Sequence, residues 1–309
     1  MPNPHLLARH GAILAVRDDL SALRVSGPDR FSWLQALLTC DVNPVKNGQA
    51  VYGLVLHRNG KILADVFLIA RDSDVLLVTD KLDADALLAH LDAYLVMEDA
   101  DIEVLEPPIT FVLAIGPQAP AIASAASNHP GIHASGHGTL LATSAALLGG
   151  APNEIQHILP SLLRPDDSSM LVSNDDFDAL RVDLGFPKWH KDFDGANYPM
   201  EIGLDQVAIS FQKGCYVGQE VVVKLRSRGK PVRLLIRLAL DSNTLPDVGS
   251  PVSSLSGKEI GTITNVGYSM QKRALAFALV RRSEVEASPT VVVQGIQAHI
   301  DALWKPFEG

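Results

Sequence analysis

Cysteine is nearly missing from this chain: Cys40 and Cys215 are its only two in 309 residues. Two thiols make no disulfide framework, and neither belongs to a Cys-x-x-Cys pair or a Cys/His cluster. No structural zinc site is therefore expected, and the chain reads as a cytoplasmic protein with reduced thiols. Long apolar runs are also missing, so no membrane-spanning helix is expected. The opening MPNPHLLARHGAILAVRDDL is broken by Pro, His, Arg and Asp and lacks the order of a signal peptide. A basic excess is absent as well. Net charge is -9 and the pI is near 5.5, which argues against a broad nucleic-acid-binding surface and leaves room for a local basic patch. Internal repeats and low-complexity segments are not found. What is there is an ordinary globular composition, 47% hydrophobic and 20% charged, long enough for roughly two or three domains.

Periodicity divides the chain. SGPDRFSWLQALL predicts a helix, with Pro28 and Asp29 suited to its start and Phe31, Leu34 and Leu38 on one face. TCDVNPVKNGQ reads as loop. VYGLVLHRNGKILADVFLIA predicts a hairpin turning at Arg58-Asn59-Gly60-Lys61, where Asn-Gly suits a type I′ turn, and residues 75–79 add a third strand. Leu87, Leu88, Leu91 and Leu95 make a helical stripe, and residues 109–116 read as a strand. Residues 117–170 are largely Ala/Gly/Ser-rich and show no clear period. NDDFDALRVDLGFP predicts a helix capped at Asn174 or Asp175, faced by Phe177, Leu180 and Leu184 and stopped by Gly185 and Pro187. Beyond about residue 230, short strands separated by turn signals have the spacing of a small barrel or sandwich.

The densest polar stretch is FQKGCYVGQEVV, residues 211–222. Gly214 removes a side chain beside Cys215, Gly218 permits a tight turn, and Lys213 places a positive charge that favours a thiolate. A helix starting near Gly218 would act the same way through its dipole, although Val221-Val222-Val223 reads more like a strand. The plain alternative is a buried cysteine acting as a small hydrophobe. In NYPMEIGLDQ, Pro199 stiffens the chain before Glu201. A fixed carboxylate there suits two parallel N–H donors, such as a guanidinium or a pterin's 2-amino group and N3–H; the alternative is a solvated glutamate. Asp65 lies on the strand face opposite Val66 with apolar neighbours two residues either side, facing either solvent or a site. KLRSRGKPVR, residues 224–233, carries five basic residues in ten. It suits an anionic tail such as a glutamate or polyglutamate chain, a phosphate, or no ligand at all as a solvated linker.

With these residues in hand, KGCYVGQE resembles the signature of the YgfZ family of folate-binding proteins, itself similar in fold to the T protein of the glycine cleavage system, an aminomethyltransferase. VSGPDRFSWLQALLTCDV, LHRNGKILAD, LRVDLGFP, YPMEIGLDQVAISFQKGCYVGQEVV, GKEIGTITNVGYSM and ALAFALVRR follow the family in order. The resemblance covers most of the chain and is poorest over 117–170. It implies an α+β, multi-domain, ring-like fold: residues 1–229 as a folate-binding region of two α+β subdomains, and 230–309 as a C-terminal small β-barrel. It further implies tetrahydrofolate or a derivative as cofactor, with iron–sulfur enzymes or cluster assembly proteins as partners and neither nucleic acid nor membrane. The role implied is assembly or repair of iron–sulfur clusters. By motif, Glu201 matches the T-protein glutamate that grips the pterin. Asp65 lies near the T protein's catalytic aspartate, within a different local string. Asp41, Tyr198 and Arg226 complete the expected cofactor-binding set. Cys215, which the T protein lacks, and Lys213 are the expected catalytic pair. Cys40 stands where family members commonly have Asn, and Lys224 where many have Arg. A folate-dependent aminomethyltransferase or demethylase, a non-catalytic folate sensor, and a thiol enzyme unrelated to folate stay open beside this reading.

Overall fold

The computed structural model describes residues 3–129, 131–132, 134–140, 143–163 and 168–303. They fall into two compact units: residues up to 174 together with 207–219, and residues 175–206 together with 220 onward.

The first unit runs α1 (Pro4–His10), β1 (Ala12–Arg17), β2 (Leu20–Ser26), α2 (Arg30–Leu37), β3 (Ala50–Leu56), β4 (Ile62–Ala70), β5 (Val75–Asp80), α3 (Ala84–Asp92), β6 (Asp101–Val104), β7 (Thr110–Ile115), α4 (Ala119–Ala126), β8 (Ala134–Leu140), β9 (Thr143–Gly150), α5 (Pro152–Leu162) and β10 (Ser169–Val172). They build two five-stranded sheets, ordered β3-β4-β5-β2-β6 and β10-β1-β7-β9-β8. The first is antiparallel throughout; the second has one parallel pair, β1 with β10. Trp33, Leu34 and Leu37 of α2 and Leu87 and Leu91 of α3 join Leu23, Val66, Leu68 and Leu77 in one core. The two sheets meet where β8 crosses β3. A Cβ on Gly138 would stand 2.0 Å from the Ala50 carbonyl oxygen, so only glycine lets these backbones touch.

The predicted helices, hairpin and third strand of this unit are present, with three differences. Buried Trp33 and Leu37, with Leu34 and Leu38, carry the inner face of α2 and its end, while Phe31 is only partly buried. The hairpin does not turn as type I′. Gly60 alone takes a positive φ, 78°, while His57 N donates to Lys61 O and Gly60 N to His57 O. Asn59 instead uses its side chain, accepting from Lys61 N, so one left-handed residue suffices. The run at 117–150 resolves into α4, β8 and β9. Ala119, Ala123 and Ala126 make up most of the buried face of α4, beside Ile122, which is why its period is faint in the sequence. Residues 130, 133, 141–142 and 164–167 of the weakly patterned 117–170 stretch lie outside the described residues.

The second unit runs α6 (Asn174–Leu184), α7 (Pro199–Ile202), a single 3-10 turn (Leu204–Gln206), α8 (Gln219–Arg228), β11 (Arg233–Leu240), β12 (Pro251–Ser253), β13 (Glu259–Tyr268), β14 (Ala274–Arg281), α9 (Arg282–Ala287), β15 (Thr290–Val293) and β16 (Ile296–Leu303). The six strands close into a barrel in the order β11-β14-β13-β12-β15-β16, the small barrel expected from the strand spacing. Residues 304–309 of the expected barrel span lie outside the described residues. Ile236, Leu238, Ile263, Ala276 and Val291 fill it, and closure leaves no strand edge for pairing. Helix α6 is pinned to β13: Asn265 Nδ2 donates to Asp178 O at 2.9 Å, and Arg181, buried to 1%, pairs with Asp192, whose other oxygen accepts from Thr264 Oγ1 at 2.6 Å. The Val221–223 run is helical in α8, not a strand. Val222 is fully buried there, and tertiary burial overrides the β-branched preference. Among the described residues no helix is long and apolar enough to cross a membrane.

Candidate functional site

In the first unit, the 207–219 segment carries the cysteine motif and is stapled to the loop after α2. Thr39 Oγ1 donates to Ala208 O at 2.7 Å, Ser210 N to Thr39 O at 2.9 Å, and Val217 N to Ala36 O at 3.1 Å. Gly218 has φ +83°, and a Cβ there would stand 2.7 Å from His57 O, so the expected tight turn is one that glycine serves. Between these anchors Cys215 is exposed. Gly214 beside it faces open space; an added Cβ would meet nothing within 4 Å, so clearance around the sulfur does not depend on it.

Lys213 holds the same turn. Its ammonium donates to Leu38 O and Cys40 O, each at 2.7 Å, and lies 5.5 Å from the centroid of the Tyr216 ring. Those carbonyls, and not the Cys215 sulfur, are its hydrogen-bond partners. Burial pushes its pKa down to about 8, against the opposing pull of Cys40 and Asp41. Asp41 is itself held locally: Oδ1 accepts from Gln35 Nε2 at 2.9 Å and Asn43 N at 3.2 Å. Cys40 is buried in the space left by Gly53, where a Cβ would come within 2.5 Å of its Sγ, and burial raises its thiol to about 12. A thiol so placed is an inert packing group. Tyr216, which the sequence did not single out, has a buried hydroxyl with no hydrogen-bond partner among the described residues, and burial raises it to about 12.

Asp65 sits on β4 opposite Leu54 of β3, on the face it shares with Phe67. Its Oδ2 accepts from Tyr52 Oη at 3.0 Å, and the Tyr52 ring packs on Phe67 with centroids 5.1 Å apart. Burial pushes the Asp65 carboxyl up to about 6, opposed by the Tyr52 hydrogen bond and the Arg17 charge. The hairpin thus presents a half-buried carboxylate whose charge state changes near pH 6, above the ordinary carboxylate range. Tyr52, its partner across the strands, was not singled out from the sequence. The signal available was strand register, which pairs Tyr52 with Phe67 two residues from Asp65.

In the second unit, Glu201 lies on α7 with its side chain only 6% exposed. Oε2 accepts from Asn197 Nδ2 at 3.0 Å and Tyr198 N at 3.2 Å, and Oε1 stands 3.7 Å from Arg233 Nε. The carboxylate is therefore oriented by the turn before it. Tyr198 contributes through its backbone amide, and the arginine against Glu201 is Arg233. Arg226, named from the sequence, is on α8. It lines the same cavity, of ≈580 Å³, together with Glu201, Asp205, Lys230 and Arg282. Burial raises the Asp205 carboxyl, with the Arg226 charge opposing. The basic stretch at 224–233, for which a solvated linker was one reading, is mostly α8 and puts Arg226 and Lys230 on this cavity wall. A cavity of this size with a few convergent polar groups fits a small cofactor. A carboxylate held by two donors on one oxygen keeps acceptor capacity for a ligand's N–H groups, which fits a pterin.

In the second unit Glu201 accepts from the Tyr198 amide and shares a cavity wall with Arg226. In the first, Lys213 lies beside the backbone of Cys40 and the charge of Asp41, on the loop that presents Cys215. Asp65 lies on the hairpin of the first unit, hydrogen-bonded to Tyr52.

Comparison with known proteins gives a consistent pattern. The family model for the GCVT N-terminal domain matches residues 3–143. A tRNA-modifying protein YgfZ from Hamiltonella defensa is 28% identical over 75% of this chain and 71% of its own length; that of Yersinia enterocolitica is 27% identical over 75% and 72%. An aminomethyltransferase from Herpetosiphon aurantiacus is 24% identical, covering 94% of this chain and 84% of its own. Among solved structures, the glycine cleavage system aminomethyltransferase T from Bartonella henselae superposes with a TM-score of 0.77 at 20% identity, covering 99% of this chain and 90% of its own, so the fold is shared.

Proposed function

Because the chain belongs to the YgfZ family, related to the aminomethyltransferases, we propose that it binds tetrahydrofolate or a derivative and acts in tRNA modification. On this reading it does so in the cytoplasm, by supporting iron–sulfur enzymes or the proteins that assemble and repair their clusters. The observation that carries the proposal is the Glu201 carboxylate, oriented by Asn197 and Tyr198 at the wall of a cavity large enough for a folate head group. Glu201 would receive the pterin's N–H groups, with Arg226 favouring the anionic end. The 1–229 region supplies most of the site, and the 230–309 region adds Lys230, Pro231, Leu234, Leu235 and Arg282 to its wall. Cys215 is then the functional thiol, presented on a loop fastened by Thr39, Lys213 and Val217.

Calorimetric titration with tetrahydrofolate tests the first half: binding by the native chain and its loss in Glu201→Ala are expected. Complementation of a deletion strain tests the second: Cys215→Ala is expected to fold, bind folate and fail to restore iron–sulfur-dependent tRNA modification. Full rescue by Cys215→Ala would remove the thiol from the function.

One observation favours a second reading, a folate-dependent one-carbon enzyme. Asp65, hydrogen-bonded to Tyr52 and raised by burial to about 6, is a stronger base than an ordinary carboxylate and would serve as the proton acceptor of such a reaction. Formation of methylene-tetrahydrofolate from a methylamine-type donor, lost in Asp65→Asn, is its test; no turnover would leave the binding role alone.

A further inference from the structure

Glu201 uses its two oxygens differently. Oε2 takes two hydrogen bonds, from Asn197 Nδ2 at 3.0 Å and the Tyr198 amide at 3.2 Å. Two donors fill the two lone pairs of that oxygen. Oε1 has Arg233 Nε at 3.7 Å, close enough for an ion pair and too far for a hydrogen bond. Its charge is compensated while its lone pairs stay open. An incoming pair of N–H donors is left with the oxygen that Arg233 faces.

Arg233 opens β11, and the next two residues, Leu234 and Leu235, line the Glu201 cavity. The arginine side chain is 43% exposed and that of Glu201 6%, so the guanidinium can swing into solvent and the carboxylate cannot. Glu201 is its one charged partner among the described residues. On the barrel ladder Arg233 is paired directly with Arg281 of β14. Like charges opposite each other on one face repel, which favours Arg233 turning to its carboxylate. The pterin edge read at Glu201 is the same kind of group. Its 2-amino group and N3–H belong to a guanidine fragment of the ring and present two parallel donors, as an arginine fork does.

Resting on the folate reading of Glu201, we infer that Arg233 is a stand-in for the pterin: its guanidinium compensates Glu201 before ligand arrives, and the head group binds by displacing it. Arg233 then sets affinity by opposition. The ion pair lost is a partly exposed one, so its removal should tighten head-group binding about twofold to fivefold. The sign separates this role from the ordinary one, because an arginine that gripped the ligand would weaken binding when removed.

The test is anaerobic calorimetric titration of the full chain with 6-methyltetrahydropterin, beside tetrahydrofolate. The first is a head group without the anionic tail, uncharged at neutral pH. Arg233→Gln should bind this tailless pterin about twofold to fivefold tighter than the native chain at low salt. Arg233→Lys, which keeps the charge, should bind it as the native chain does. Salt should tighten binding by the native chain toward the Arg233→Gln value, as the screening length shrinks to about 3 Å at 1 M, and leave Arg233→Gln unmoved. Equal or weaker binding by Arg233→Gln would overturn the inference and leave the folate reading standing. So would binding of tetrahydrofolate with no binding of the tailless pterin by either chain. No binding of tetrahydrofolate by the native chain would overturn the folate reading and this inference with it. If Arg233→Gln does not fold, a native-chain affinity for the tailless pterin that is flat or falls with salt overturns the inference by itself.

Discussion

Asn197 and Glu201 are joined across the start of α7: Nδ2 donates to Oε2 at 3.0 Å, on the same oxygen that takes the Tyr198 amide. Both side chains are buried, so the amide fixes which way the carboxylate points. Asn197→Ala removes one of two donors to a buried charge, an interaction worth about 1.5–3 kcal/mol. If Glu201 grips a folate, this variant is expected to weaken tetrahydrofolate binding about tenfold to a hundredfold with Glu201 itself intact. Calorimetry on Asn197→Ala and Glu201→Gln side by side checks it. Unchanged affinity in Asn197→Ala would mean that the orientation of Glu201 is not what binds.

Lys213 gives a pH signature. Its folded pKa is about 8 against an ordinary 10.5, so between these values the unfolded chain holds the proton that the folded chain has released. Stability contributed at this position therefore rises with pH across that window. Lys213→Met removes the titration along with two hydrogen bonds. The melting-temperature difference, native minus variant, is expected to be flat below pH 8 and to grow from pH 8 toward 10. A flat difference throughout would show that the ammonium is not desolvated.

Asp65 has the opposite sense. Its folded pKa, about 6, lies above the ordinary 3.8, so the stability linked to its proton is complete below about pH 4 and lost as pH rises through 6. Relative to Asp65→Asn, the native chain should lose stability between pH 4 and 6 and change no further above 7. Tyr52→Phe removes the hydroxyl that favours the charged form, so the Asp65 titration should move above 6. Carboxyl NMR titration of the two chains reads this directly; a titration near 3.8 in the native chain would contradict the burial.

Arg181 and Asp192 form a buried ion pair in the second unit, with side chains 1% and 0% exposed. Asp192→Ala leaves Arg181 only Asp178 and the Phe186 carbonyl and removes the acceptor of Thr264, which should destabilise that unit by about 3 kcal/mol. Urea unfolding followed by the barrel's signal measures it. A loss below about 1 kcal/mol would place the pair among the weak, solvent-screened kind.

Much of the fold was legible because its signals are local. Alternation in residues 62–69, turn residues between short strands after 230, and the Leu87/Leu91 stripe each act over a few residues, and all form the elements they predict. Where several weak signals had to be summed the reading thinned. In α4 the buried face is mostly alanine, and burial inside the fold, not amphipathic contrast, makes it a helix.

The candidate site divides in the same way. The sequence by itself determined which residues are uncommon for their surroundings: a cysteine in a glycine- and glutamine-rich string, a glutamate after Tyr-Pro-Met, an aspartate in an apolar strand. It also carried the family resemblance. Only the tertiary structure decided their physical states. It made α8 from a valine run, directed Lys213 to the Leu38 and Cys40 carbonyls, buried Cys40 beneath Gly53, set Arg233 against Glu201, and lifted Asp65 to near pH 6. Those outcomes depend on desolvation and on partners up to 175 residues away in the chain. Neither is a property of any short window of sequence.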